Sequence, residues 1–290
     1  MAVIGDEPAK QLDLFVAVLT QVSIKVDMAS LEHPIFALKP TKSIRTYALG
    51  KDCEIKVIPS SAGCPTMDDK DILVYLASQI RAGFNSGLKV APTIQVSAYD
   101  MLRSIGRSIG GADYRRLTVA LTRLRGATIE TRIKTGGVRQ EQGFGLIDSW
   151  SMTTRDRFGS PRLRIRVSDW YFRAVEANEV LTVDEDYFAL NGLSKRLYEL
   201  VRKHLGSYQV VFKIDLEKLR HKSGSLNSPR RFKFEVRKII DVAQENRISG
   251  QTDPWRDWLL SLNGSLFVAY RNDDSGRQLR AKDALKSLRS

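Results

Sequence analysis

Residues 162–167 read Arg-Leu-Arg-Ile-Arg-Val, a strict alternation of cation and aliphatic side chain. A period of two puts Leu163, Ile165 and Val167 on one face of a strand and Arg162, Arg164 and Arg166 on the other. Such a strand needs a core beneath it and either water or a polyanion above it. The chain must therefore contain a sheet packed on one face only, which points to the α+β class.

The segments around that strand follow a fixed order. Residues 44–59 suggest a strand pair turning at Gly50-Lys51-Asp52. Thr66 caps a helix over 67–81 that places Ile72, Leu73, Leu76 and Ile80 on one face, and the acids Asp68, Asp69 and Asp71 suit the helix dipole at its start. Residues 93–97 form a short strand, and Ser97 caps a second helix. A third helix over 113–125 has Leu117, Ala120, Leu121 and Leu124 as its core face. Alternating strands at 128–134, 145–150 and 162–167 then read as a wing, with a turn at Gly136-Gly137. Helix, strand, helix, helix and wing is the order of a winged-helix domain.

The same order recurs downstream. Ser194 caps a helix over 195–205 that stops at Gly206, and 210–214 is a strand. Asp215 caps a helix over 216–222 with a turn at Gly224. Pro229 then sits at the favoured first position of a third helix reaching about Glu245, with Phe232, Val236, Ile239 and Ala243 on its core face. Asn263-Gly264 between two apolar runs is a hairpin signal and marks a second wing. The expected architecture is a leader over 1–20 followed by tandem winged-helix domains at 21–190 and 191–290.

Charge says what such a pair would meet. The chain carries a net charge of +13 and a pI near 9.8, which favours a polyanionic partner. The excess is concentrated: residues 191–290 hold 21 Lys/Arg against 11 Asp/Glu, and residues 103–173 hold 15 against 6. Everything else is net acidic, so two separate basic surfaces are expected. The third helix of a winged-helix domain usually enters the major groove. On the first such helix the outward residues are Tyr114, Arg115, Thr118, Thr122 and Arg125, flanked by Arg116 and Arg123. On the second they are Arg230, Lys233, Arg237 and Asp241, the three cations at i, i+3 and i+7, flanked by Arg231 and Lys238. Arg162, Arg164 and Arg166 either track phosphates or form the wet side of a sheet; the sequence leaves both open. Trp150, Trp170 and Tyr171 would allow stacking on melted single strands.

Catalytic readings find no support. No His-x-His triplet, no His-x-x-Arg and no Gly-x-x-x-x-Gly-Lys-Ser/Thr occurs, so nickase, tyrosine-recombinase and ATPase chemistry lack their groups. Cys53, Cys64, His33, His204 and His221 are too scattered for a zinc site. No apolar run approaches a membrane span, and the amino terminus lacks a signal peptide's features. A cytoplasmic, cofactor-free, metal-free binding protein is expected.

Two stretches resemble known proteins. Leu193-Ser-Lys-Arg-Leu-Tyr-Glu-Leu-Val-Arg-Lys-His-Leu-Gly, then Leu216-Glu-Lys-Leu-Arg-His-Lys-Ser-Gly-Ser and Pro229-Arg-Arg-Phe-Lys-Phe, are similar to the plasmid replication initiator protein A family. That resemblance implies a tandem winged-helix initiator that binds repeated duplex origin sites, helps melt them, and recruits the host replication initiator and helicase. Gln11, Leu12, Asp13, Leu14 and Phe15 resemble the peptide by which bacterial replication proteins dock on the polymerase sliding clamp. The amide of Gln11 would fix register and the apolar side chains would fill pockets. The same apolar run, continued by residues 16–19, also suits the first element of a core. The alternative function is a dimeric winged-helix transcriptional repressor, and homodimer formation is open under either reading.

Overall fold

A computed structural model of the chain describes residues 14–17, 22–48, 53–135, 138–153, 161–206 and 208–287. It opens with β1 (Phe15–Val16), β2 (Lys25–Asp27), α1 (Met28–Glu32), β3 (Arg45–Ala48) and β4 (Cys53–Ile58). The first helix–strand–helix–helix series is α2 (Met67–Asn85), β5 (Thr93–Ser97), α3 (Ala98–Ser104) and α4 (Gly111–Gly126). A capping box fixes the start of α2: Thr66 accepts from the Asp69 N–H while Asp69 accepts from the Thr66 N–H. The Ser97 hydroxyl caps α3, as its position before an apolar helix predicts.

Four strands follow, β6 (Thr128–Thr135), β7 (Val138–Phe144), β8 (Ile147–Thr153) and β9 (Arg162–Val167). They do not make the single wing expected from sequence. β6 and β7 continue the sheet begun by β3 and β4, in the order β3-β4-β6-β7. β8 and β9 are the wing proper, in a second sheet ordered β1-β5-β9-β8. Alternation types a strand but does not say which neighbour it pairs with, and here the pairing splits one strand run between two sheets. The predicted turns at Gly50-Lys51-Asp52 and Gly136-Gly137 lie outside the described residues, as do 154–160 between β8 and β9.

After α5 (Asp169–Glu176) and β10 (Val180–Thr182), which pairs with β2, the series repeats as α6 (Gly192–His204), β11 (Val211–Asp215), α7 (Leu216–Ser223) and α8 (Pro229–Ser249). β12 (Trp258–Asn263) and β13 (Leu266–Arg271) form the second wing and complete a sheet ordered β11-β13-β12. Pairing of Asn263 with Leu266 leaves Gly264 and Ser265 as the turn, and Gly264 has φ +62°, which glycine adopts without strain. α9 (Asp274–Ser287) closes the chain. Asn191, not Ser194, caps α6: its side chain accepts from the Ser194 N–H, so the helix begins three residues earlier than expected. Ser194 instead accepts from Trp255 Nε1.

Among the described residues two large apolar cores result, beside a small cluster of Leu259, Val268 and Tyr270. One gathers residues between Phe15 and Val175; the other takes Val26, Leu31, Val74, Val183 and Tyr187 together with residues from Leu197 to Ala269. α2 lies between them, so every residue from Met67 to Ile80 except Asp68 is buried. Charged side chains occupy the joint between α2 and α6. Lys70 Nζ lies 2.5 Å from Glu199 Oε1, with both side chains fully buried, and the Tyr187 hydroxyl donates to the same oxygen at 2.6 Å. Asp71 accepts from Lys195 at 2.7 and 2.9 Å and from Arg107 at 3.0 Å. Burial drives the Lys70 ammonium below its ordinary range, with Glu199 opposing, and lifts the Asp71 carboxyl to about 6 against Lys195 and Arg107. Arg196 donates to the carbonyls of Ser30, Leu31 and Lys222, tying α1 and α7 to α6.

Candidate nucleic-acid interface

The third helices carry the predicted cations, and the two differ in what those cations do. On α4 the buried face is Leu117, Ala120, Leu121 and Leu124, as the sequence predicts. Arg115 and Arg125 are exposed and make no ion pair or side-chain hydrogen bond among the described residues. Thr118 and Thr122 are half-buried, and each hydroxyl donates to the carbonyl four residues back, which leaves the oxygen lone pairs facing outward. The flanking pair points elsewhere. Arg123 forks Asp69 with Nε and Nη2 at 2.7 and 2.6 Å. That contact, more than the helix dipole, explains the conspicuous acid at the start of α2. Asp69 raises the Arg123 guanidinium above its ordinary range. Arg116 is exposed but pairs with Asp113 at 3.0 Å.

α8 is longer than expected, ending at Ser249, and buries Phe232, Val236, Ile240 and Ala243. Ser228 caps it, with Pro229 in the first turn. Arg230 and Arg237 are exposed and Lys233 is half-buried on one flank; none has an ion-pair partner among the described residues. Arg231 and Lys238 fall on the opposite flank, and there Arg231 pairs with Glu235 at 3.2 Å and lies over the Phe234 ring. That flank lines a cleft of about 760 Å³ whose far wall includes Leu38, Pro40 and Leu193. Arg231 and Lys238 therefore belong to the cleft rather than to the Arg230–Lys233–Arg237 stripe.

On the wing strand β9, Leu163, Ile165 and Val167 are buried while Arg162 and Arg164 are exposed and Arg166 is half-buried. Arg164 Nε donates to Gln95 Oε1 of β5 at 2.9 Å, and Arg166 reaches Asp148 and Asp169. Of the three, Arg162 alone has no side-chain partner among the described residues. The aromatics proposed for stacking are placed less favourably. Tyr171 is buried and its hydroxyl donates to the Leu73 carbonyl at 2.9 Å, so it cannot meet a base. Trp170 stacks on Phe144 at 4.4 Å, and Trp150 is half-buried against the core.

Gln11, Leu12 and Asp13 lie outside the described residues. Leu14 is half-buried and Phe15 is buried in β1, so the expected leader contains a strand within its first twenty residues. Among the described residues no cluster of His, Cys, Asp or Glu could hold a metal ion, and no helix is long and apolar enough to cross a membrane.

Sequence reasoning missed the buried joint. Lys195, Arg196 and Glu199 lie inside the stretch that carries the family resemblance, yet they serve the contact between α6 and its neighbours. Nothing in one sequence distinguishes a buried, paired lysine from a solvated one on an amphipathic helix.

The sequence model of the family described as Replication initiator protein A matches residues 25–245. A relative named "Putative replication protein" from Wigglesworthia glossinidia brevipalpis is 34% identical over 224 residues, covering 75% of this chain and 81% of that protein. A crystal structure of a selenomethionine derivative of domains 2 and 3 of RctB shares the fold with a TM-score of 0.61 at 12% identity, covering 81% of this chain and 93% of that one. A second crystal structure of RctB domains 2–3 gives a TM-score of 0.55 at 14% identity, covering 84% and 98%.

Proposed function

This chain belongs to the replication initiator protein A family, and we propose that it starts plasmid replication by gripping repeated duplex sites at an origin through its two winged-helix units. The observation that carries this reading is the stripe Arg230, Lys233 and Arg237, three cations left without ion-pair partners on α8 among the described residues. Three like charges held on one helix face without an ion pair repel one another, so a polyanion is the natural counterpart. Arg115 and Arg125 of α4 and Arg162 of the first wing add contacts from the other unit. Arginine among them can read guanine bidentately, while Lys233 meets phosphate. The protein acts by binding and not by catalysis. It helps open the origin, brings host replication proteins to it, and engages the sliding clamp through Gln11–Phe15.

Alanine at Arg230, Lys233 and Arg237 together should lower affinity for origin duplex on the order of 100-fold or more. The slope of log affinity against log salt should flatten by roughly 2–3. Footprints should fall on direct repeats, whereas a dimeric repressor would protect a palindrome. Wild-type affinity with an unchanged salt slope in the triple variant would remove α8 from the interface.

A further inference from the structure

We propose that the clamp-type peptide is held shut by its own last residue: Phe15, docked in β1 over Gly83, must leave the first core before Gln11–Phe15 can bind a clamp. The proposal rests on the clamp reading given above and adds its regulation. Among the described residues β1 is the edge strand of its sheet and pairs with β5 alone, in parallel, through Phe15 with Ile94 and Val16 with Gln95. The Ala17 N–H donates to the Gln95 carbonyl at 2.9 Å. Phe15 is 4% exposed and joins the first core, whereas Val16 is 47% exposed. The alternation that makes β1 a strand thus hides the aromatic anchor and leaves its neighbour wet.

The seat for that ring is shaped by a missing side chain. A Cβ at Gly83 of α2 would stand 2.8 Å from Phe15 Cζ and 2.9 Å from Val90 Cγ2, so alanine there would force the Phe15 ring and the Val90 side chain to shift. The helical position itself does not require glycine, since Gly83 does not adopt a positive φ, and alanine is the better helix former there. A two-residue edge strand is a weak hold apart from its buried ring. It can be released without disturbing the helices beneath, as expected of a low-stability segment at a sheet edge. A bound clamp would need the same ring, so closed strand and bound clamp exclude one another. The apparent affinity is then reduced by the fraction of chains that are open.

The test uses a bacterial polymerase sliding clamp and four ligands: the full chain, its Gly83→Ala variant, the Gly83→Ala/Leu14→Ala/Phe15→Ala variant, and a synthetic peptide of residues 6–20. The peptide should bind, and the full chain should bind roughly 10- to 100-fold more weakly, the range expected when one buried phenylalanine must be exposed. Gly83→Ala should recover most of that gap, and the triple variant should lose binding. Amide exchange gives a second readout without a clamp: the Ala17 N–H should be protected in the wild type and exchange faster in Gly83→Ala. A full chain that binds as tightly as the peptide would overturn the latch while leaving the clamp reading intact. A peptide that fails to bind would overturn the clamp reading itself.

Discussion

The two winged-helix units share an order of elements but spend their third-helix cations differently. In the first unit Arg123 is locked to Asp69 and Arg116 to Asp113, so half of the predicted basic residues on α4 hold the protein's own acids. In the second unit Arg230, Lys233, Arg237 and Lys238 have no carboxylate within ion-pair reach among the described residues. The wings diverge likewise: the last pair of the first is Thr153 with Arg162, while in the second Asn263 pairs with Leu266 across a two-residue turn at Gly264 and Ser265. A basic helix is therefore not by itself a binding helix. The position of the nearest acid decides whether an arginine serves stability or a ligand.

Breaking the joint between the units should produce the largest effect. Lys70→Met leaves Glu199 buried with its remaining partners Arg196 and Tyr187, and should cost about 3–5 kcal/mol in urea denaturation. Adding Glu199→Leu should not restore the loss, because the buried Arg196 guanidinium then loses its Glu199 carboxylate and the Tyr187 hydroxyl its acceptor. If the single variant unfolds in two steps, the units differ in intrinsic stability as well as in charge.

Arginines from the two third helices should show crossed effects. Arg123→Ala leaves Asp69, which is 3% exposed at its side chain, with the Thr66 N–H but no cation, and should cost about 2–4 kcal/mol of stability. Its effect on DNA should be no more than that instability accounts for. Arg237→Ala should change stability by less than about 0.5 kcal/mol while lowering origin affinity roughly tenfold and the salt slope by about 1. Equal effects of both substitutions on both measurements would erase the distinction between the units.

A smaller effect should appear at low pH, at the seam. His33 is held at about 4, below its usual 6.5, by burial and then by Arg196 and Lys222 from the second unit; its Nδ1 is buried without a hydrogen-bond partner among the described residues. A depressed histidine favours the folded state while neutral. Its contribution is therefore complete above pH 6.5 and is lost as pH falls towards 4, where the unfolded chain is protonated first. Urea midpoints of His33→Gln and wild type should keep a constant offset above pH 7 and shift in favour of the variant as pH falls from 6.5 to 4. An offset that stays constant over that whole range would show that His33 is not held neutral by the fold.

Much of the fold could be read from local chemistry. Thr66, Ser97 and Asp215 cap the helices they were expected to cap, Pro229 opens α8, and Gly264 turns the hairpin. The apolar faces of α4 and α8 were also visible, apart from the exchange of Ile240 for Ile239 in the fully buried set. These signals lie within a few residues of what they govern. The partition of β6 to β9 into two sheets was hidden, because each strand satisfies the same alternation whichever partner it takes. The candidate interface was half visible for a related reason. Helical spacing gave the outward stripes, but the acid that claims Arg123 sits 54 residues away.

The sequence by itself determined the class of this protein: period, caps and turns required a twice-repeated helix–strand–helix–helix–hairpin, and the net charge and its clustering favoured a polyanionic partner. Tertiary structure alone decided which charges remain available, since ion pairs such as Lys70–Glu199 and Arg123–Asp69 form between residues that only folding brings together. It decided the place of Phe15 too. Gln11–Phe15 reads equally well as a free docking peptide and as the start of a core, and only the ring of Phe15 resting over Gly83 shows that its aromatic anchor is inside.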